Sequence, residues 1–133
     1  MVALILSVFL CIAEVSPDAI VGMYWSPEKE GKIQIYKRGG RYYGKIALGS
    51  EAQKDIKNPD PKLRDRDVIG MEFLKDFTFD GADKWEDGTV YDPKSGKTYD
   101  CSISLDDQGN LKLRGYVGIS LFGRTEVFIR IKE

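Results

Sequence analysis

The chain contains no histidine. That absence excludes serine–histidine and cysteine–histidine nucleophilic catalysis, imidazole general bases and zinc sites built on imidazole. Cysteine is nearly as scarce, and Cys11 with Cys101 cannot make a four-cysteine metal cage. An excess of one charge is missing too. The 20 basic residues face 21 acidic ones, for a net charge of −1, so no electrostatic grip on nucleic acid or anionic lipid is expected. No apolar run reaches the roughly 20 residues of a spanning helix, which argues against stable membrane insertion. Phosphate-cradling glycine loops, nucleophile elbows and redox cysteine pairs are absent, and no motif implies a cofactor.

What remains is 133 residues, 42% hydrophobic and 31% charged, the balance of one soluble globular domain. A chain of this length buries roughly two-thirds of its unfolded surface, enough for a core without staples. Residues 1–13 read MVALILSVFLCIA, apolar and uncharged. The stretch has the length of a signal-peptide apolar region, and Cys11 and Ala13 put small residues where a signal peptidase reads. Cleavage after Ala13 and export to the periplasm or medium are expected, with a first core element as the alternative. The mature chain would keep only Cys101, which at an inward strand position acts as a small apolar residue.

Beyond residue 19 the pattern is strands and turns. Strands are expected at Ile20–Trp25, Lys32–Tyr36, Arg41–Leu48, Val68–Leu74, Trp85–Tyr91, Thr98–Leu105, Leu111–Val117 and Arg124–Lys132. Ile33 and Ile35 share one face, as do Ile69, Met71 and Phe73. Tyr99, Cys101, Ile103 and Leu105 point inward while Asp100, Ser102 and Ser104 point out. Arg38-Gly39-Gly40, Asp92–Gly96 and Asp106–Asn110 are turn signals. Such short turns dictate antiparallel pairing, because parallel strands need crossovers of about a dozen residues. The exception is the long connection from Gly49 to Asp67, where a helical turn is expected around Ser50–Ile56.

Eight one-sided antiparallel strands must close into a barrel or stack as two sheets. Closure removes the exposed edges and is the favoured reading: an all-β, eight-stranded up-and-down barrel.

Three stretches together resemble a bacterial family known as domain of unknown function twenty-one forty-seven. They are Asp55-Ile-Lys-Asn-Pro-Asp-Pro-Lys-Leu-Arg-Asp-Arg66 followed by Gly70; Trp85-Glu-Asp-Gly-Thr-Val-Tyr-Asp-Pro93 continued by Ser95–Tyr99; and Leu113-Arg-Gly-Tyr-Val-Gly118 with Gly123-Arg124. With Gly22–Trp25 and Gly31–Tyr36 the resemblance spans about residues 20–133. It implies a small exported bacterial protein with a lipocalin-like (calycin) barrel, and no assigned activity. Lipocalins carry glycine–any–tryptophan on the first strand, with an arginine of the last strand packed across that ring. Here Gly22-Met23-Tyr24 puts tyrosine at that position and Trp25 one place late. Only one of the two rings can face inward, and Arg124 or Arg130 could supply the cation.

Seven tyrosines, six phenylalanines and two tryptophans give the chain its rings. Tyr42, Met71, Phe73, Trp85, Tyr91 and Tyr99 fall at inward or end positions of strands and are the expected wall of an internal site. Arg64, Arg66 or Arg124 would meet an acidic or polar group on the ligand through forked hydrogen bonds. The competing reading makes the Asn58–Arg66 segment a rigid loop, pinned by Leu63, whose arginines pair with carboxylates. Asp80 with Asp83 and Asp106 with Asp107 match no calcium loop. Ile119–Phe122 is either a bend before the last strand or an apolar gate. The leading function is a non-enzymatic binding protein holding a small hydrophobic or amphipathic ligand. The runner-up is a filled barrel that docks envelope or host proteins through its surface or the 49–67 loop, with carboxylate catalysis third.

Overall fold

The computed structural model describes residues 15–49, 53–116 and 124–132. The expected signal segment at 1–13 and the Ile119–Phe122 gate lie outside them. Eight strands run β1 (Gly22–Trp25), β2 (Lys32–Arg38), β3 (Arg41–Leu48), β4 (Glu72–Phe79), β5 (Lys84–Asp92), β6 (Lys97–Leu105), β7 (Leu111–Tyr116) and β8 (Arg124–Arg130). Each pairs antiparallel with its chain neighbours, and β1 meets β8 through Tyr24 opposite Arg130 and Trp25 opposite Ile129. The sheet is therefore a closed up-and-down barrel.

The β2–β3 hairpin shows how the turns set this topology. Gly39 and Gly40 both hold positive φ, 60° and 80°, which a two-residue turn needs if its twist is to match the flanking strands. Arg38 and Arg41 then face each other across the turn, and the alternation of β2 puts Ile33 and Ile35 in the core.

Three expectations about elements are corrected. Ile20 does not begin β1. Pro17–Ile20 forms a short 3₁₀ turn, because Pro17 fixes the backbone for a first turn and buries Ile20 as a plug. The fourth strand starts at Glu72 rather than Val68 and runs on to Phe79. The apolar Val68–Met71 run instead closes the preceding loop, with Met71 N donating to Val68 O at 3.1 Å and Ile69 36% exposed. No helical turn occupies the described part of Ser50–Ile56. Lys54 bridges Asp67 there, and the loop's single 3₁₀ turn is Pro61–Leu63.

Two bulges explain why period-two counting fails in β4. Gly44 opposes Leu74 and Lys45 opposes Glu72, so Phe73 is an extra residue; Tyr42 then opposes Phe77, leaving another surplus around Asp76. Asp76 takes a φ of 65°, and Asp87 in β5 takes 63° beside its own register shift. Each bulge re-aims the side chains beyond it. Phe73, Leu74 and Phe77 all become buried, a set no strict alternation produces.

The core is one cluster of buried side chains, and its largest rings lie toward one half of the barrel. Trp85, Tyr24, Tyr42, Phe77, Ile20 and Leu74 are fully or almost fully buried there. The 3₁₀ turn caps this half. Tyr24 donates its hydroxyl to Ile20 O (2.8 Å), Trp85 Nε1 donates to Pro17 O (2.9 Å), and Tyr42 donates to Asp18 Oδ1 (2.5 Å).

Candidate ligand site at the barrel mouth

The first-strand ambiguity resolves on Tyr24. Its ring faces inward with none of its surface exposed, and the Arg130 guanidinium lies 4.8 Å from the ring centroid. Arg130 also donates to the Tyr24 hydroxyl (2.6 Å) and to Gly109 O (2.9 Å). One cation thus ties β1, β8 and the β6–β7 turn together. Arg124 plays no part in this clamp; it is exposed and faces Glu126 at 3.3 Å. Burial pushes the Tyr24 phenol up to about 12, against the opposing pull of Arg130, so it stays a neutral hydrogen-bonding group.

With that end sealed, open space among the described residues lies toward the other end, where the β1–β2 turn, the long β3–β4 loop and the β5–β6 turn gather. A pocket of about 440 Å³ opens there. Its apolar surface comes from Ile33, Ile46, Phe73, Val90, Leu113 and Phe128. The Tyr91 and Tyr99 rings add to one wall. Lys32, Lys94 and Arg124 join Asp92 and Glu126 in the lining. Gly115 on β7 faces the space, and among the described residues a Cβ there would meet Val90 Cγ1 at 3.7 Å.

The long loop is fastened beside this pocket by a buried carboxylate. Asp55 is fully buried and accepts from Tyr91 Oη (2.6 Å), Asn58 Nδ2 (2.8 Å) and Arg66 Nε (2.9 Å). Burial alone would raise its pKa, but these three donors outweigh it and hold the carboxyl below the ordinary range. Tyr91 responds in the opposite sense: burial and then the Asp55 charge push its phenol up to about 12. Arg64 Nε donates to Asn58 O at 2.8 Å. Gly96 packs its backbone against the same loop, since a Cβ there would sit 2.0 Å from Lys57 O.

The residues expected to form a site therefore divide into three groups. Phe73, Tyr91, Tyr99 and Arg124 line the pocket. Tyr42 and Trp85 do not; both seal the opposite end through Asp18 and Pro17. Met71 is buried beneath the loop, its carbonyl accepting from Ile46 N at 3.0 Å. Arg64 and Arg66 hold the loop to itself, Arg66 on the Asp55 carboxylate as the rigid-loop reading expected and Arg64 on the Asn58 carbonyl instead of a carboxylate. Leu63 is not the pin, being 37% exposed; Asp55 and Asn58 are. Sequence reasoning missed Ile46, Leu113, Phe128, Lys32 and Lys94. The alternation of Leu111 with Leu113 carried a signal for one of them, whereas Lys32 and Lys94 gave none. Asp80 and Asp106 accept backbone N–H groups of their own turns, from Ala82 and Lys84 and from Gln108 and Asn110. Among the described residues no group of His, Cys, Asp and Glu is placed to hold a metal, and no helix is long and apolar enough to cross a membrane.

A closed eight-stranded up-and-down barrel, plugged at one end by a 3₁₀ turn under an arginine–aromatic clamp and hollow at the other, is a lipocalin-like barrel. The chain belongs to the bacterial family described as "Uncharacterized protein conserved in bacteria (DUF2147)", whose model matches residues 22–130. Its structure is similar to that of protein HP1028 from Helicobacter pylori, described as belonging to the lipocalin family. The two share 28% identity and a TM-score of 0.78, over 86% of this chain and 84% of that one. No curated protein matches the chain by sequence.

Proposed function

We propose that the chain is an exported, non-enzymatic binding protein that takes one small, partly apolar molecule into the mouth of its barrel. The carrying observation is the pocket of about 440 Å³, closed below by Ile33, Leu113 and Phe128 and walled by Phe73, Tyr91 and Tyr99. Small-molecule sites are typically apolar concavities of roughly 300–1,000 Å³ with a few polar groups for orientation. The other half of the barrel holds the buried rings of Tyr24, Tyr42, Phe77 and Trp85 under the 3₁₀ turn, so the mouth is the place for a guest to enter. Membership of the lipocalin family, as stated for HP1028, supports the same reading. Export rests on the apolar run at residues 1–13.

The test uses a neutral fluorescent probe, N-phenyl-1-naphthylamine, titrated into the purified protein. One saturable site is expected. Gly115→Leu places four carbons in the pocket, and at about 0.8 kcal/mol per displaced methylene contact it should weaken the probe by tenfold or more. Because the position has room for a Cβ, the urea midpoint should hardly move. Absence of probe binding, or equal binding by Gly115→Leu, refutes the reading. Amino-terminal sequencing of the protein from a cell-envelope fraction should begin at Glu14; an intact terminus in the cytoplasmic fraction refutes export.

A further inference from the structure

The outer wall of the barrel carries a second concavity, and its position follows from side-chain length. The outward residues of β6, Ser102 and Ser104, are short, while the strands on either side present long ones. Register places Lys84 and Lys112 on the two sides of Ser104, and Arg114 beside Ser102 with Thr125 beyond it. A trough of about 480 Å³ runs over β6 between these side chains, and none of its described lining residues is an acid. Neighbouring strands lie about 4.8 Å apart, so three positive charges gather within about 10 Å on a chain whose net charge is −1. Cations that close repel one another, a cost that an anion between them would offset. Asp80 and Asp106, held by backbone N–H groups of the flanking turns, act on Lys84 and Lys112 by charge without forming an ion pair. The rest of the trough is rich in hydroxyls. Arg114 Nη1 donates to Thr125 Oγ1 at 3.1 Å, and the Ser102 and Tyr116 hydroxyls share a hydrogen bond of 2.8 Å. Beyond Ser102 and Tyr116 the sign reverses, where Glu86, Asp87 and Asp100 line an adjoining trough.

We propose that this wall, outside the barrel and independent of its interior, binds a phosphorylated sugar or a similar phosphorylated polyol. The phosphate meets Lys84, Lys112 and Arg114, and the hydroxylated remainder meets the hydroxyls of Ser102 and Tyr116. A phosphate monoester carries a charge of about −1.5 to −2 at neutral pH and three acceptor oxygens, which matches three convergent cations better than a single carboxylate does. At about 30 Å³ per heavy-atom group a bare phosphate fills about a third of the trough, which leaves room for the carbon skeleton it is attached to. Glu86, Asp87 and Asp100 confine the anion to the Lys112 end and repel a longer polyanion such as a nucleic acid.

The experiment follows ¹⁵N amide shifts while glucose 6-phosphate, inorganic phosphate and glucose are titrated separately into the purified protein at low ionic strength. Glucose 6-phosphate should give saturable shifts confined to Lys84, Ser102–Ser104 and Lys112–Arg114, with an affinity about tenfold above that of inorganic phosphate; glucose alone should give none. Salt at about 0.5 M should weaken the ester by roughly tenfold. Lys112→Glu, at an exposed position, should weaken it by about tenfold or more, and Ser104→Asp should abolish it, both with naphthylamine binding unchanged. Lys62→Glu, an exposed change in the long loop, should leave it unaltered. Phosphatidylcholine vesicles with and without phosphatidylinositol 4-phosphate separate a lipid-borne source from a soluble one. Sedimentation with the phosphorylated vesicles, lost in Lys112→Glu, assigns the first, and its absence beside glucose 6-phosphate binding assigns the second. Shifts that are scattered or do not saturate, or equal losses in Lys62→Glu and Lys112→Glu, overturn the assignment and leave the reading of the barrel mouth intact.

Discussion

Gly44, Gly88 and Gly115 all face the barrel interior from strands, none at positive φ, so alanine at each tests space alone. Gly88→Ala is the sharpest of the three. In an open strand the change would stabilise by roughly 0.5–1 kcal/mol, because glycine loses the most freedom on folding. Here the new Cβ would lie 2.5 Å from Cγ, Cδ1 and Cε1 of Phe77. Carbon–carbon contacts are favourable near 3.5–4.0 Å, so the ring or β5 must shift by about 1 Å. Phe77 is fully buried and cannot swing into solvent. Overpacking of that kind costs about 1–3 kcal/mol, and a net loss of about 2 kcal/mol is expected. Urea unfolding followed by tryptophan fluorescence should show the midpoint falling by about 1 M. Gly44→Ala meets the terminal methyls of Leu74 and Ile35 at 2.8 and 2.9 Å, flexible ends that can yield, and should lose about 1 kcal/mol. Gly115→Ala, at 3.7 Å from Val90, should stay within about 0.5 kcal/mol of the parent. Phe77→Leu placed in the Gly88→Ala background should cost less than the two changes summed. A Gly88→Ala protein as stable as the parent, or the reverse order among the three, refutes the reasoning.

Asp55→Asn should destabilise by about 3 kcal/mol at neutral pH, since it breaks a buried ion pair and leaves donors poorly matched, although Arg66 still reaches water. Because the native carboxyl is held below its ordinary pKa, its contribution is complete above about pH 4 and fades as pH falls through the lowered native value. The gap between parent and Asp55→Asn in denaturant titrations should therefore narrow below pH 4; a constant gap would count against the carboxylate as the anchor. Arg130→Ala should cost about 2–4 kcal/mol by unfastening Tyr24, Gly109 and the plug, and Arg130→Lys should recover under half of that, read as shifts in thermal midpoint. Cys101, 3% exposed, has its thiol pushed up to about 12 by burial, so a disulfide reagent at pH 8 should modify it only at the rate of unfolding. Rapid labelling of the native protein would contradict that burial.

Much of the barrel was legible in the chain because its signals are local. Lys97–Leu105 alternates without a bulge, and Cys101 and Ile103 sit in the core as the alternation required. Gly39-Gly40 set a hairpin by their own backbone preference. The site was less legible. Phe73, Tyr91 and Tyr99 were found from inward position, yet the same rule selected Tyr42 and Trp85, which lie at the plugged end. Height along a barrel axis depends on how registers accumulate around eight strands, and no single strand encodes it.

Local chemistry therefore decided the all-β character, the eight strands, the antiparallel turns and the exclusion of imidazole chemistry. Each of these needs only neighbours within a few residues. Closure decided the rest. Asp76 and Asp87 in left-handed bulges re-aimed β4 and β5, Tyr24 rather than Trp25 turned inward, and Arg130 rather than Arg124 came to lie over its ring. Arg66 and Tyr91 met on Asp55 across the barrel rim. Partners so far apart in the chain are chosen by which backbone hydrogen bonds can be satisfied at once when the first strand meets the last, and that condition exists only in the folded barrel.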